Sequence, residues 1–147
     1  MTPKRGVSPK KWGPCTWGFL HFVAMGYPAV PTAGDQAQYR SFFVDALPCV
    51  LPCKACRENL RRHITHAPPD AALAQGRDAL FAWTVRLHNI VNRETGKPAM
   101  DPRAAKLVYD AGPKCSCRPP GIVAADAVTV ILMLACAMVV LGLFLRR

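Results

Sequence analysis

Three cysteines fall within eight positions of this 147-residue chain: Cys49, Cys53 and Cys56, in LPCVLPCKACRENL at 47–60. Cysteines so clustered could hold a metal, staple the chain or carry a redox couple. C-x-x-x-C-x-x-C is also the spacing by which radical enzymes using S-adenosylmethionine hold an iron–sulfur cluster. Cys53-Lys54-Ala55-Cys56 directly follows Pro52, where a helix is expected to begin. Unpaired backbone N–H groups and the helix dipole favour a thiolate there, and Lys54 and Arg57 add positive charge. A disulfide across one helical turn constrains little of the fold, so its use would be redox. Zinc competes, because His63 and His66 supply two further ligands in a C-x6-H-x-x-H pattern. If 53–66 is one helix, however, His63 lies nearly two turns beyond Cys56, and the four side chains cannot converge on one ion. His63 and His66 then read as a partly exposed helix end, where cations are favoured.

The elements that must position these groups are helical throughout. A first helix is expected over about Pro14–Gly26, with Trp17, Leu20, Val23 and Ala24 at three- and four-residue steps and Pro14 in its first turn. A second is expected over about Asp35–Ala46, ending before Pro48, and a third from Pro52 to about His66, stopped by Pro68 and Pro69. A fourth covers about Asp78–Thr95, and a shorter fifth starts with Asp101 as N-cap and Pro102 at N1 and ends near Gly112. Short connectors between such helices imply an all-α fold, a four-helix bundle with a short fifth helix. The radical enzymes need a large barrel, and no alternating strand–helix units are present.

Residues 122–145 form a 24-residue apolar run whose one charged residue is Asp126. As a helix it would span about 36 Å, enough for the roughly 30 Å hydrocarbon core of a bilayer. A C-terminal transmembrane helix is therefore expected, followed by Arg146 and Arg147 at the headgroups. The N-terminal basic stretch has no apolar run behind it and does not read as a secretory signal. The expectation is a single-pass, tail-anchored protein whose remaining residues face the cytosol. Seven cysteines in such a protein point to metal or redox chemistry rather than staples. Residues 1–121 carry 17 Lys and Arg against 8 Asp and Glu, a net +9. No nucleic-acid module accompanies that charge, so no nucleic-acid partner is expected, and a basic surface beside a membrane accounts for it.

A working dithiol needs somewhere to send electrons. WGPCTWGFLHFVAMGYP at 12–28 places Trp17 and His21 four apart, and HNIVNRETGKP at 88–98 places His88, Val91 and Asn92 on one helical face. Two such faces opposed within a bundle suit a flat heteroaromatic cofactor, although each residue taken alone fits a polar-flecked core better.

With these segments on view, the chain resembles the Erv/ALR family of FAD-dependent sulfhydryl oxidases. WGPCTWGFLHFVAMGYPAVPT, LPCKACRENLRRHI and LFAWTVRLHNIVNRETGKP match its three signature segments in order and spacing, over roughly 12–112. The resemblance implies four helices around FAD with a fifth completing the site. It implies Cys56 as the flavin-proximal thiol and Cys53 as the outer sulfur attacked by incoming thiolates. Gly13, Trp17, His21, Tyr27, His88, Asn89, Asn92 and Lys97 would line the cofactor, with Tyr109 as an aromatic cover on the adenine side. It also implies protein thiols as substrates, a thioredoxin-like carrier among them, oxygen as acceptor with hydrogen peroxide as product, and a homodimer through the first two helices.

Two departures stand out. Pro14 occupies a position where cellular members usually have Arg, so WGP looks more like members from large DNA viruses. Thr65 and Pro102 occupy the positions of a disulfide that in many cellular members joins the third and fifth helices. A viral origin would make the anchoring membrane a host or virion membrane.

The organisation read from the sequence is a basic tail at 1–11, an FAD-binding oxidase domain at 12–112, a linker at 113–121 and the anchor at 122–147. Cys115 and Cys117 lie in that linker, and the resemblance makes them a shuttle pair between substrate and Cys53–Cys56, with palmitoylated or idle juxtamembrane cysteines as the alternative. Cys49 is expected to be buried and inert.

Overall fold

The computed structural model describes residues 7–112, and every element in that range is a helix. The apolar run at 122–145 and the Cys115–Cys117 pair lie outside the described residues. Among the described residues, no helix is long and apolar enough to cross a membrane.

Helix α1 (Pro9–Met25) starts earlier than the expected Pro14. Ser8 and Pro9 supply a start of the kind Pro14 was expected to give, because a fixed φ and a missing N–H cost nothing at N1. Pro14 instead sits inside the helix, on its exposed side. Helix α2 (Ala33–Arg40) opens on a reciprocal cap: Asp35 N–H donates to Thr32 Oγ1 at 3.2 Å, and Thr32 N–H donates to Asp35 Oδ2 at 2.8 Å.

The chain does not stop before Pro48. It widens into a π-helical segment (Ser41–Ala46), in which the Leu47 N–H reaches back to Phe42 O, and then closes one further α turn, α3 (Leu47–Val50). Proline lacks an N–H and its ring crowds the carbonyl one turn back, and the wider turn ahead of Pro48 absorbs both.

Helix α4 (Lys54–His66) and α6 (Arg77–Glu94) fall close to the expected ranges. Between them lies an unexpected helix, α5 (Asp70–Gln75), which starts behind Pro69 and ends at Gly76 with φ +98°. The final helix, α7 (Pro102–Asp110), starts as expected, with Asp101 Oδ1 accepting from the N–H groups of Arg103 and Ala104 at 2.9 and 3.1 Å.

Helix α6 is the central element and packs against α1, α4, α5 and α7. Its inner face carries Leu80, Phe81, Trp83 and Leu87 at helical spacing, all buried. Phe43, in the π-helical segment, meets Trp83 edge-on at 5.2 Å, and the Trp83 indole N–H donates to Ala67 O at 2.8 Å. Tyr27 is fully buried under α5, where its hydroxyl donates to Leu73 O at 3.0 Å. With no disulfide at Thr65 and Pro102, α7 is tied to α6 by Asn89. That amide donates to Met100 O at 2.7 Å and accepts from Met100 N–H at 2.9 Å, while Ala105 is buried in the core.

Candidate active site

Cys53 and Cys56 form a disulfide across the first turn of α4, with Cα atoms 5.1 Å apart. Cys53 is the N-cap, extended at φ −118° and ψ 121°, and its Sγ accepts from the Cys56 N–H at 3.2 Å. Both sulfurs are half-buried at a helix start whose free N–H groups carry partial positive charge. Arg57 folds back to donate to Leu51 O, pinning the approach to the helix. Lys54 is exposed and faces Glu58 at 3.8 Å, so its charge is partly offset. The four candidate zinc ligands have other partners. The cysteines bond to each other, His63 meets Glu94 Oε2 at 3.1 Å, and His66 Nδ1 donates to Arg62 O at 2.7 Å. His63 is buried against the end of α6 rather than partly exposed as expected.

The second cluster lies where α1 meets α6. Trp17 and His88 stack face to face, with ring centroids 4.2 Å apart and planes 6° from parallel. His21, one turn along α1 from Trp17, is 2 % exposed and bridges the helices. Its Nδ1 lies 2.9 Å from Thr84 Oγ1 and its Nε2 lies 3.2 Å from His88 Nδ1. Tyr109 from α7 closes the group, edge-on to His21 at 4.9 Å and to Phe22 at 5.5 Å. Phe81 lies against both His21 and Tyr109.

Burial pushes both imidazoles down to about 4, helped at His21 by the charge of His88 and at His88 by that of Lys97. The neutral forms therefore belong to the folded state. Between pH 6.5 and 4 the unfolded chain binds protons that the folded chain excludes, so stability falls as pH drops through that window and this contribution levels off below it. The urea midpoint is expected to drop between pH 7 and 4.5. An unchanged midpoint over that range would contradict the neutral pair.

The remaining expected cofactor residues divide. Gly13 lies one turn before Trp17 on α1, and a Cβ there would meet nothing within 4 Å. Asn92 shapes the turn after α6: its Nδ2 donates to Pro98 O at 3.3 Å, and its carbonyl accepts from Lys97 N–H at 2.8 Å. Asn89 spends both ends of its amide on Met100, and Tyr27 is a core residue packed on Tyr39. The structure gives these last two structural duties, since a buried amide or phenol must find partners where it lies.

Among the described residues, no hydrogen bond or ring contact joins Cys53–Cys56 to Trp17, His21 or His88, although α4 and α6 pack together. Thr84 and Phe81 escaped the sequence reading. They stand four and seven residues before His88 on the same helix, a spacing that could have found them. Cys49 is exposed, contrary to expectation, with the Arg61 guanidinium 3.4 Å from its sulfur.

A small helical bundle with a dithiol–disulfide couple at a helix start and an indole–imidazole stack between helices defines a class of redox module. The chain belongs to the Erv1 / Alr family, whose family model matches residues 14–110. It is 42% identical over 91 residues to a probable FAD-linked sulfhydryl oxidase of Acanthamoeba polyphaga mimivirus, covering 62% of this chain and 63% of that relative. It is 35% identical over 103 residues to a putative FAD-linked sulfhydryl oxidase of Invertebrate iridescent virus 3, covering 70% of this chain and 66% of the relative. The matches thus span just under two thirds of either viral protein. The crystal structure of the FAD-binding domain of Erv1 from Saccharomyces cerevisiae superposes with a TM-score of 0.66 at 26% identity, over 72% of this chain and 97% of that one.

Proposed function

We propose that the chain is a sulfhydryl oxidase that makes disulfides in protein thiols at Cys53–Cys56, with FAD held between α1 and α6 and oxygen as final acceptor. The observation that carries this reading is a half-buried disulfide at the start of a helix packed on α6, which also holds the Trp17–His88 stack.

The residues fit a flavin dinucleotide. Trp17 and His88 offer a flat, half-buried platform, Gly13 leaves open space one turn away, and Lys97 brings positive charge near His88 that suits a diphosphate. Trp17, His21, His88 and Tyr109 would hold the group with Gly13 and Lys97, and Asn92 would set the turn that carries Lys97. When bound, FAD supplies a two-electron acceptor for the dithiol and a route to oxygen, with hydrogen peroxide as product.

The chain's own chemistry is thiol–disulfide exchange. A substrate thiolate attacks Cys53 Sγ, and Cys56 leaves as a thiolate stabilised by the helix start. A second substrate thiolate then resolves the mixed disulfide, so two thiols become one disulfide and the pair takes up two electrons. Cys115 and Cys117 are assigned as the shuttle that delivers those electrons, on the support of their spacing alone. Residues 122–145 are assigned as a single-pass membrane anchor that leaves the oxidase on the cytosolic side, on the support of length and apolarity. A second copy of the chain is the partner assigned to the outer face of α1, where Phe19 and Phe22 are exposed.

Oxygen consumption by the full chain with reduced protein substrates, including a thioredoxin-like protein, tests the reading. One hydrogen peroxide per disulfide is expected. The Cys115→Ser/Cys117→Ser variant should slow turnover of protein substrates while sparing that of dithiothreitol. Equal rates with protein substrates would remove the shuttle, and no peroxide with any thiol would remove the oxidase reading.

A further inference from the structure

The hydrogen bonds around His21 fix where the protons of both imidazoles sit. Thr84 has one hydroxyl proton, and its Oγ1 lies 2.7 Å from Phe81 O, an atom that can only accept. That proton is therefore committed to Phe81, and Thr84 Oγ1 can meet His21 Nδ1, 2.9 Å away, only as acceptor. His21 must carry its proton on Nδ1. In the neutral ring this leaves Nε2 bare, so the bond at 3.2 Å to His88 Nδ1 runs from His88 to His21. His88 in turn has its proton on Nδ1 and a bare Nε2. No described residue bonds that nitrogen, yet no buried side-chain N or O among them lacks a partner, so Nε2 opens to the exterior of the protein. The low proton affinities of both rings agree with their being neutral.

We propose that Thr84 is a positioning residue: through His21 it locks His88 into the tautomer whose Nε2 accepts a hydrogen bond from an N–H or O–H of the bound flavin dinucleotide. The flavin half of this statement rests on the oxidase reading, and the tautomer half does not. Without the Thr84 hydroxyl, the proton on His21 Nδ1 loses its acceptor. His21 then moves its proton to Nε2 and donates to His88 Nδ1, which forces the His88 proton onto Nε2. His88 would then present a donor where it had presented an acceptor, opposing the ligand's own donor.

The test uses the full chain labelled with 15N in histidine, purified with its flavin. Long-range 1H–15N correlation spectra should show His21 and His88 both protonated on Nδ1, the less common tautomer in free imidazole side chains. Thr84→Val should move both protons to Nε2 and weaken FAD binding, read from flavin fluorescence on dilution, by roughly tenfold to a hundredfold. Thr84→Ser, which keeps the hydroxyl, should restore both the tautomers and the affinity. A proton on Nε2 of either histidine in the natural chain would overturn the proposal, as would a Thr84→Val variant with unchanged tautomers and affinity. If Thr84→Val does not fold, the spectrum of the natural chain and the Thr84→Ser variant still decide. A chain that binds no flavin would overturn the oxidase reading and the ligand contact, while the spectra alone would rule on the proton arrangement.

Discussion

Cys56→Ser should lower thiol-driven oxygen consumption by about a thousandfold or more while the chain folds and keeps its flavin. The substitution leaves the helix start in place, because the bond from residue 56 to Cys53 Sγ comes from the backbone N–H and survives it. What disappears is the second sulfur, and with it the capacity to store two electrons as an S–S bond. A substrate thiolate meeting a lone Cys53 thiol finds no bond to exchange into. Leu60 and Ile64 keep α4 buried in the core and the His63–Glu94 pair ties it to the end of α6, none of which involves residue 56. Cys49→Ser supplies the contrast. Cys49 is exposed and, among the described residues, its sulfur accepts from the Arg61 guanidinium at 3.4 Å, so oxygen consumption should stay within about twofold of the natural chain. Retained activity in Cys56→Ser would remove Cys56 from the reaction.

The largest stability loss is expected at Gly76→Ala. Gly76 joins α5 to α6 at φ +98°, a region costly for any residue with a Cβ. The site is also closed by packing: a Cβ would meet the Ala29 carbonyl carbon at 3.0 Å and its oxygen closer still. Those atoms are backbone and cannot swing aside. They belong to the connector after α1, which Arg77 holds from its own N–H to Pro28 O at 3.0 Å and from Nε to Tyr27 O at 2.7 Å. Strain and clash together should cost about 3 kcal/mol or more. For a chain of this size the melting temperature should fall by roughly 10 °C. Gly96→Ala separates the two causes, since Gly96 has φ +71° but open space around it. It should cost only about 1 kcal/mol. Equal losses at both positions, measured by circular dichroism on heating, would show that packing against Ala29 contributes nothing.

The sequence disclosed those parts of this molecule that rest on local chemistry. Asp101-Pro102 announces the start of α7, because an acidic cap and a proline at N1 satisfy the first-turn N–H groups without help from the rest of the fold. The Trp17–His21–His88 cluster was foreshadowed by four-residue spacing and by three segments that keep their order and distance. What escaped depends on tertiary compensation. Pro48 reads as a stop, yet the π-helical turn ahead of it lets the helix continue, and Phe43 meets Trp83 from that turn. Pro14 reads as a start, yet Pro9 serves that purpose earlier and Pro14 is carried inside. Helix α5 was hidden behind Pro68-Pro69, which mark the end of α4 and equally well the start of another helix. The partners of Tyr27 and Asn89 depend on the fold in the same way. Both stand in the expected segments, and the groups that satisfy their buried polar atoms, Leu73 and Met100, come from elsewhere in the fold.

The most direct test of electron flow from thiols through Cys53–Cys56 to a bound flavin is anaerobic mixing of the purified full chain with a reduced protein thiol, followed at the flavin absorption band. The chain should be yellow, with one flavin per chain, and the band should bleach in the natural protein while persisting in Cys56→Ser. A colourless protein, or equal bleaching in both, would contradict the account.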